Sequence, residues 1–440
     1  MGRFASASRP FLFIFYLKKS RLFAIINLSL FISITNMSKV IVDKELIEKF
    51  LTRGVEAIYP SVDGFRDKLM SGERLRVYQG FDPTGKFLHV GHAMGIRAMR
   101  LLQQLGHEVI FLVGDYTARV GDPDKESGRK MLTEKEIEDN LQGWKEQAAQ
   151  LIDFGGDNPV QFKRNYEWLS QLKLDEVIKL MSHMTVQQML ERDMFEKRLE
   201  KGDPIGIHEF IYPLLQGYDG VALNVDMEIG GADQTFNMLT GRELSKAYLG
   251  KEKFVLTKKM MDAPDGRTMS KTKGNGINLS DSSEDMYGKA MSYSDAHIPM
   301  GLELLTDVPL TAIKEVIDEI KKGANPMSYK KMMAFGIVKA IRGEEEAVKA
   351  QRAFEATVQN KEIPADIPVL KKPVGNYKLM ELLVEAGLAK SKSEAGRLVD
   401  QGGVKVDNKI IADREAEVAV SDKEVLIQKG KRGFIRVIKN

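Results

Sequence analysis

The chain of 440 residues contains no cysteine. That excludes disulfides, thiolate nucleophiles and Cys-ligated zinc, and it suits a reducing compartment, which places the protein in the cytoplasm. Histidine is scarce, with six in all, so a metal centre is the weaker use of any pair of them. A net charge of +3 is too small to mark the whole chain as a nucleic-acid binder. After residue 40 no apolar run reaches the ~20 residues that a membrane-spanning helix needs. The remainder is that of a globular chain, 43% hydrophobic and 29% charged, and long enough for two or three domains.

Residues 1–36 stand apart. They carry Arg3, Arg9, Lys18, Lys19 and Arg21 with no acidic residue, between the apolar runs FLFIFY and LFAIINLSLFISI. A signal peptide puts its charge first and ends in a small-residue cleavage site, which fits badly here. The lack of acids allows a mitochondrial presequence. The preferred reading is a start-site artefact with translation from Met37, because Met37-Ser38-Lys39 leads straight into a polar-apolar helix over 43–52.

The most informative run is RVYQGFDPTGKFLHVGH, residues 76–92. Arg76 to Gln79 reads as a strand and Gly80 to Lys86 as a loop punctuated by Pro83 and glycines. From Gly91 the apolar spacing turns helical. A helix N-terminus after a polar loop is a seat for phosphate. His89 and His92 share one face there, Gly91 leaves the backbone open, and Thr84 and both imidazoles can donate hydrogen bonds to phosphate oxygens. HEVIFLVGD, 107–115, reads as a buried parallel strand. Strand, helix and strand over 76–115 make one βαβ unit, and its ligand crevice lies at the carboxyl ends of the strands. Thr84, His89 and Asp122 fall there.

Residues 133–203 read as mostly helical and rich in aromatic and methionine residues. Such a cluster is ordinarily core, and it also suits an insertion that forms a dimer surface. In FIYPLLQGYD, 210–219, Pro213 belongs to a first helical turn. Tyr212, Gln216 and Asp219 then share one face, a polar lining on an apolar helix. VDMEIGGADQ, 225–234, is a strand, a Gly-Gly turn and a helix start, where Gly231 admits a ribose and Asp233 accepts its hydroxyls. LTKKMMDAPDGRTMSKTKGNG, 256–276, is a basic loop.

Residues 283–359 are patterned as successive helices, and 361–372 as a Pro-containing linker. From Lys371 onward there are 15 Lys/Arg against 10 Asp/Glu, a larger surplus than that of the whole chain. This tail reads as two helices, a Gly402-Gly403 turn, the strand 404–406 and a basic strand-rich end, an arrangement for RNA phosphates.

Asp82-Pro83-Thr84 followed by Leu88-His89-Val90-Gly91-His92 resembles the HIGH motif of the class I aminoacyl-tRNA synthetases. Tyr78-x-Gly80-Phe81-Asp82-Pro83-Thr84 is similar to the tyrosyl-tRNA synthetases in particular. Thr268-Met269-Ser270-Lys271-Thr272 resembles the second class I signature, KMSKS, with Thr268 in place of its first lysine. Arg267, Lys273, Lys258 or Lys259 are candidates for that charge. The tail resembles an S4-type RNA-binding domain, with Gly396 where that motif carries a basic residue.

The resemblance covers about residues 40–440. It implies an α/β Rossmann-like catalytic domain over 37–274 with a helical insertion at about 125–210. A helical domain over 275–360, a linker over 361–374 and an S4-like domain over 375–440 follow. The implied reaction joins tyrosine to tRNA(Tyr) through tyrosyl-adenylate, with ATP as substrate accompanied by Mg2+, and a homodimer without membrane attachment. Thr84, His89, Lys271 and Thr272 are assigned to the pyrophosphate side. His92, Gly91, Gly231 and Asp233 take the nucleoside, with Met269 and Ser270 also at ATP. Asp122, Tyr212 and Gln216 take the ammonium group with Thr117 nearby, and Asp82 and Gln234 line the path between carboxylate and α-phosphate. Tyr78 and Asp219 read the phenol hydroxyl, with Gly80 beside them. Lys390, Lys392, Arg397, Lys405, Lys431 and Arg432 are assigned to RNA. No protein-held metal is expected. Three alternatives stand beside this: a tryptophanyl-tRNA synthetase, a synthetase-like RNA-binding protein without activation, and another nucleotidyltransferase of the HIGH type.

Overall fold

The structure is a computed structural model describing residues 39–122, 131–263, 276–356, 367–430 and 433–440. Met269, Ser270, Lys271 and Thr272, with Lys431, Arg432 and the 1–36 extension, lie outside the described residues. Two compact units are present. One comprises Met1–Asp281 with Tyr293–Pro326, the other Ser282–Ser292 with Met327–Asn440.

The first unit is built on a six-stranded sheet. Its strands are β1 (Val55–Tyr59), β2 (Arg76–Phe81), β3 (Glu108–Val113), β4 (Gln161–Arg164), β5 (Met227–Gly231) and β6 (Phe254–Lys258), in the order β1-β6-β5-β2-β3-β4. All neighbours are parallel except β1, which runs antiparallel to β6 at one edge. The run EVIFLV of β3 is buried after its first residue, as a central parallel strand covered on both faces must be. At the other edge β4 corrects the mostly helical reading of 133–203. QFKR has one apolar residue, too little for a strand signal, yet Phe162 stacks on Phe111 of β3 at 5.5 Å. The expected loop after β3 likewise contains one helical turn, Thr117–Val120.

Helix α1 (Val90–Gln104) connects β2 to β3. Its N-terminus is closed by the two histidines. Gly91 N–H donates to His89 Nδ1 at 3.2 Å, and His89 N–H donates to His92 Nδ1 at 3.0 Å. Two of the orphan donors of a helix start are satisfied in this way.

His107 enters β3 with 1% of its surface exposed. Its Nδ1 accepts from Leu75 N–H at 3.2 Å, so the ring is neutral. Burial pushes its pKa down to about 4, with Arg74 adding to the effect and Asp226 opposing it. The unfolded chain binds this proton more tightly, so stability present above pH 6.5 is lost as pH falls toward 4. The loss amounts to about 3 kcal/mol. His107→Gln is expected to flatten this part of the acid-stability curve, as read by urea unfolding at pH 7 and 4.5. An unchanged slope would exclude His107 as its source.

The helical stretch expected as one domain divides between the units. Ile298–Leu305 and Leu310–Lys321 belong to the first. Arg53 donates to the carbonyls of Leu302 (2.8 Å), Thr306 (2.7 Å) and Val308 (2.8 Å), and Arg97 to Thr306 O (2.9 Å). Two guanidinium groups thus satisfy the carbonyls where Ile298–Leu305 ends.

In the second unit Ser283–Ala290, Pro326–Arg342 and Glu344–Phe354 are helices, and Tyr287 packs on Phe354 at 5.3 Å. The tail forms two helices, Leu379–Glu385 and Lys392–Asp400, the second capped by Ser391 accepting from Glu394 N–H. They cover strands whose core holds Leu379, Leu383, Val399, Val404, Ile427 and Val437. Asp407 and Asn408, with φ of 48° and 65°, make the two-residue hairpin after Val404–Val406, where both central residues need positive φ. The fold is therefore the mixed α/β sheet domain, helices and small α+β tail module that the sequence implies.

Candidate functional site

β2, β3, β5 and β6 end on the same side of the sheet, at Phe81, Val113, Gly231 and Lys258. The loop after β2 is held there by the insertion. Asn140 Nδ2 donates to Pro83 O (2.9 Å), Trp144 Nε1 to Gly85 O (3.2 Å) and Gln147 Nε2 to Lys86 O (3.1 Å). Leu88 N–H donates to Gln147 Oε1 (2.8 Å). These three side chains fix the loop that carries Thr84; the sequence marks Trp144 only as part of the aromatic content of the insertion, and Asn140 and Gln147 not at all. In both His89 and His92 the Nδ1 accepts a backbone N–H, so the proton of each neutral ring sits on Nε2. The rings lie 3.9 Å apart between centroids. Capping the helix through Nδ1 leaves the proton of each ring on Nε2.

The basic loop of the second signature leaves the sheet after Lys258. The chain is described again from residue 276, where Val90 N–H donates to Ile277 O (2.9 Å) and Leu279 N–H to Leu88 O (2.7 Å). Its return is thus paired to the first motif. Lys258 is buried and donates to Arg53 O, and Lys259 pairs with Glu303 at 2.9 Å. Both lysines are thus paired at the base of the loop, and Arg267, Thr268 and Lys273 lie outside the described residues. Burial pulls the Lys258 ammonium down to about 7.

Helices α2 (Tyr212–Ala222) and α3 (Thr235–Leu249) complete the crevice. Tyr212 and Thr117 both donate to Asp82, at 2.9 Å to Oδ2 and 2.8 Å to Oδ1. The approach needs a glycine: a Cβ on Gly114 would stand 2.0 Å from Asp82 Oδ1. Asp219 is 3% exposed and accepts from Trp168 Nε1 (2.8 Å) and Asn165 Nδ2 (3.2 Å). Burial drives its carboxyl well up from the usual range, against those two donors. The Tyr78 hydroxyl is wholly buried and lies close to the Glu228 carboxylate, without a hydrogen bond of full geometry to it or to any other described residue. Burial, then the Glu228 and Asp219 carboxylates, push it well above the ordinary phenol range, so it stays neutral. Gly80, at the end of the same strand, is exposed.

A polar chain runs through the rest of the site. Gln234 Nε2 donates to Asp122 Oδ2 (2.8 Å), and Asn237 Nδ2 donates to Gln234 Oε1 and Gln216 Oε1 (both 3.0 Å). Gln216 Nε2 donates to Glu228 Oε1 (3.1 Å), and Lys253 Nζ to Glu228 Oε2 (2.5 Å). Glu228 lies beside Tyr78 in the strand register, and the Lys253 ammonium stands 5.9 Å from the Tyr78 ring centre. Lys253 reaches this point because α2 and α3 meet glycine to glycine. A Cβ on Gly241 would stand 2.5 Å from its Nζ. At the open end Asp122 Oδ1 accepts from Arg192 Nη2 (2.8 Å). Asp233 is exposed, on the turn after Gly231.

The structure thus brings together Tyr78, Asp82, Thr117, Asp122, Tyr212, Gln216, Asp219 and Gln234. It adds Asn165, Trp168, Arg192, Glu228, Asn237 and Lys253. Glu228 and Asn237 stand in or next to runs the sequence reading marked, whereas Asn165, Trp168 and Arg192 come from the insertion and carry no local signal.

In the tail module Lys390, Lys392 and Arg397 are exposed and Lys405 is half-buried. Lys392 pairs with Glu381 at 2.7 Å. The departure at Gly396 has a structural counterpart. The Arg414 guanidinium, which also pairs with Asp400, stands 3.4 Å from where a Cβ of residue 396 would be. A turn between two strands of the tail thus places a cation over the glycine.

A family model of class I tRNA synthetases for tryptophan and tyrosine matches residues 70–359, and an S4 domain model matches residues 378–428. The chain is 42% identical over 393 residues to a tyrosine–tRNA ligase of Thermotoga maritima, covering 88% of this chain and 96% of that protein. It is 41% identical over 391 residues to one of Burkholderia lata, covering 88% and 93%. Among solved structures, a C-terminally truncated mitochondrial tyrosyl-tRNA synthetase of Aspergillus nidulans shares the fold. Its TM-score is 0.59 at 22% identity, over 70% of this chain and 93% of that one. The tyrosyl-tRNA synthetase of Archaeoglobus fulgidus complexed with L-tyrosine gives 0.54 at 25% identity, over 70% and 99%.

Proposed function

The chain belongs to the class I tRNA synthetases for tryptophan and tyrosine, and we propose that its sheet crevice makes tyrosyl-adenylate from tyrosine and ATP, then esterifies tRNA(Tyr). It is a tyrosine–tRNA ligase, as are the relatives it matches along nearly their whole length. The observation that supports the choice of amino acid is the buried end of the site. There the buried Tyr78 hydroxyl, close to Glu228, and the Asp219 carboxylate, braced by Asn165 and Trp168, form a place for one phenol O–H.

The tyrosine carboxylate is already ionised, so the first step needs no general base. Its oxygen bonds to the α-phosphorus as the bond from that phosphorus to the bridging oxygen breaks, releasing pyrophosphate. The protein orients the reactants and offsets charge. Thr84, the Nε2–H of His89, Lys271 and Thr272 hold the leaving pyrophosphate. His92, Gly91, Gly231 and Asp233 hold the nucleoside, with Met269 and Ser270 at ATP. Asp122, Tyr212 and Gln216 hold the ammonium, with Thr117 and Asp82 behind Tyr212. Magnesium is carried on the phosphates and water rather than in a protein cage, and when bound it neutralises the pyrophosphate.

We further assign the exposed cations Lys390, Lys392 and Arg397, with Lys405, Lys431 and Arg432, to tRNA phosphates. Such binding weakens steeply with salt. The insertion exposes Leu174 (74%), Val186 (60%) and Ile207 (81%), an apolar display that supports a homodimer through this face. Sedimentation equilibrium of the full chain reads that mass directly. No helix among the described residues is long and apolar enough to cross a membrane, and we place the enzyme in the cytoplasm.

The deciding experiment is amino-acid-dependent ATP–pyrophosphate exchange with tyrosine, phenylalanine and tryptophan in turn. Exchange with tyrosine alone is expected. Exchange with tryptophan would reassign the pocket, and exchange with none would leave an RNA-binding protein on a synthetase scaffold.

A further inference from the structure

Arg192 precedes the helix Asp193–Lys201 in the insertion, far in sequence from every motif of the site. Only 7% of its side chain is exposed. One terminal nitrogen, Nη2, donates to Asp122 Oδ1 at 2.8 Å. The other, Nη1, is buried with no acceptor among the described residues. A guanidinium presents its donors as a rigid planar fork suited to two oxygens of one anion. Among the described residues half of this fork is engaged and half is not, and a buried charged donor left unpaired is unfavourable.

The carboxylate it touches is the one assigned to the substrate ammonium. Asp122 accepts one bond on each oxygen, from Arg192 and from Gln234. A carboxylate has about four acceptor sites, so an ammonium group can join without displacing either. In an α-amino acid the carboxylate is one carbon away from the ammonium. A zwitterion seated with its ammonium on Asp122 therefore brings its carboxylate to the neighbouring cation.

We propose that Arg192 is a substrate-binding residue whose Nη1, without an acceptor among the described residues, receives the α-carboxylate of the amino acid. The Asp122–Arg192 pair is then complementary to the substrate's own opposite charges. During activation, one carboxylate oxygen bonds to the α-phosphorus and pyrophosphate departs from it. The guanidinium reduces the repulsion between the two anions as they meet. This rests on the ammonium assignment of Asp122.

The test compares tyrosine with tyrosinol, which keeps the ammonium and phenol and lacks the carboxylate. Equilibrium binding of both is measured on the full-length wild type, Arg192→Met and Arg192→Lys. Methionine at 192 is expected to weaken tyrosine about tenfold to a hundredfold, the range for a hydrogen bond to a charged group, and to leave tyrosinol unchanged. Lysine, with the charge but not the fork, is expected to fall between. In pyrophosphate exchange the Met variant is expected to lose about a hundredfold in kcat, as for removal of one charge-stabilising donor. If both ligands weaken equally, or neither does, Arg192 is only a brace for Asp122 and the proposal is overturned. Should Arg192→Met not fold, the lysine variant decides by the same ratio. A wild type that binds neither ligand would instead refute the tyrosine-site reading itself.

Discussion

Asp219→Ala and Tyr78→Phe are each expected to erode the preference for tyrosine over phenylalanine. A site built to hydrogen-bond a hydroxyl rejects the analogue without it by about 10⁵, because its own polar groups are stranded. That magnitude is the one established for tyrosine-specific synthetases. The larger loss belongs to Asp219→Ala. It removes the acceptor and also leaves Asn165 Nδ2 and Trp168 Nε1 without the carboxylate they now hold. Tyr78→Phe removes one hydroxyl that makes no hydrogen bond of full geometry in the described chain and lies beside Glu228. It should therefore cost selectivity with little cost in stability. Exchange rates with each amino acid, taken as ratios of kcat/KM, measure both effects. Unchanged ratios in both variants would show that the phenol binds elsewhere.

Lys253→Met is expected to destabilise the fold by about 3–5 kcal/mol, since it leaves Glu228 as an uncompensated charge in the interior. The pair is among the most enclosed in the described chain, with side chains 0% and 2% exposed. Adding Glu228→Gln removes that charge and keeps an acceptor for Gln216, so the double variant should recover most of the loss. Urea midpoints of the two single variants and the double form a cycle. Additive single effects would mean that the two groups are not coupled.

The motifs around residues 78–92, 210–219 and 225–234 were legible because each packs several chemical groups into a few consecutive residues. So were β3 and α1, whose apolar spacing follows one period. The strand Gln161–Arg164 was not legible, because its place is set by β3 beside it and not by QFKR. The division of the helices 283–354 between two units was equally hidden. It depends on Arg53 and Arg97 finding the carbonyls of Leu302, Thr306 and Val308, more than two hundred positions away.

The sequence by itself carried the motif resemblance that gives the family and its reaction, and it marked the short runs proposed to hold the substrates, because such motifs are local. Only the tertiary structure decided how those runs are held. Asn140, Trp144 and Gln147 pin the Thr84 loop, Asn165 and Trp168 brace Asp219, and Lys253 supports Glu228 from a gap between two glycines. These residues act through pairings between distant segments. A polar group buried by folding must meet its partner wherever the chain delivers one, and that address is not written beside either residue.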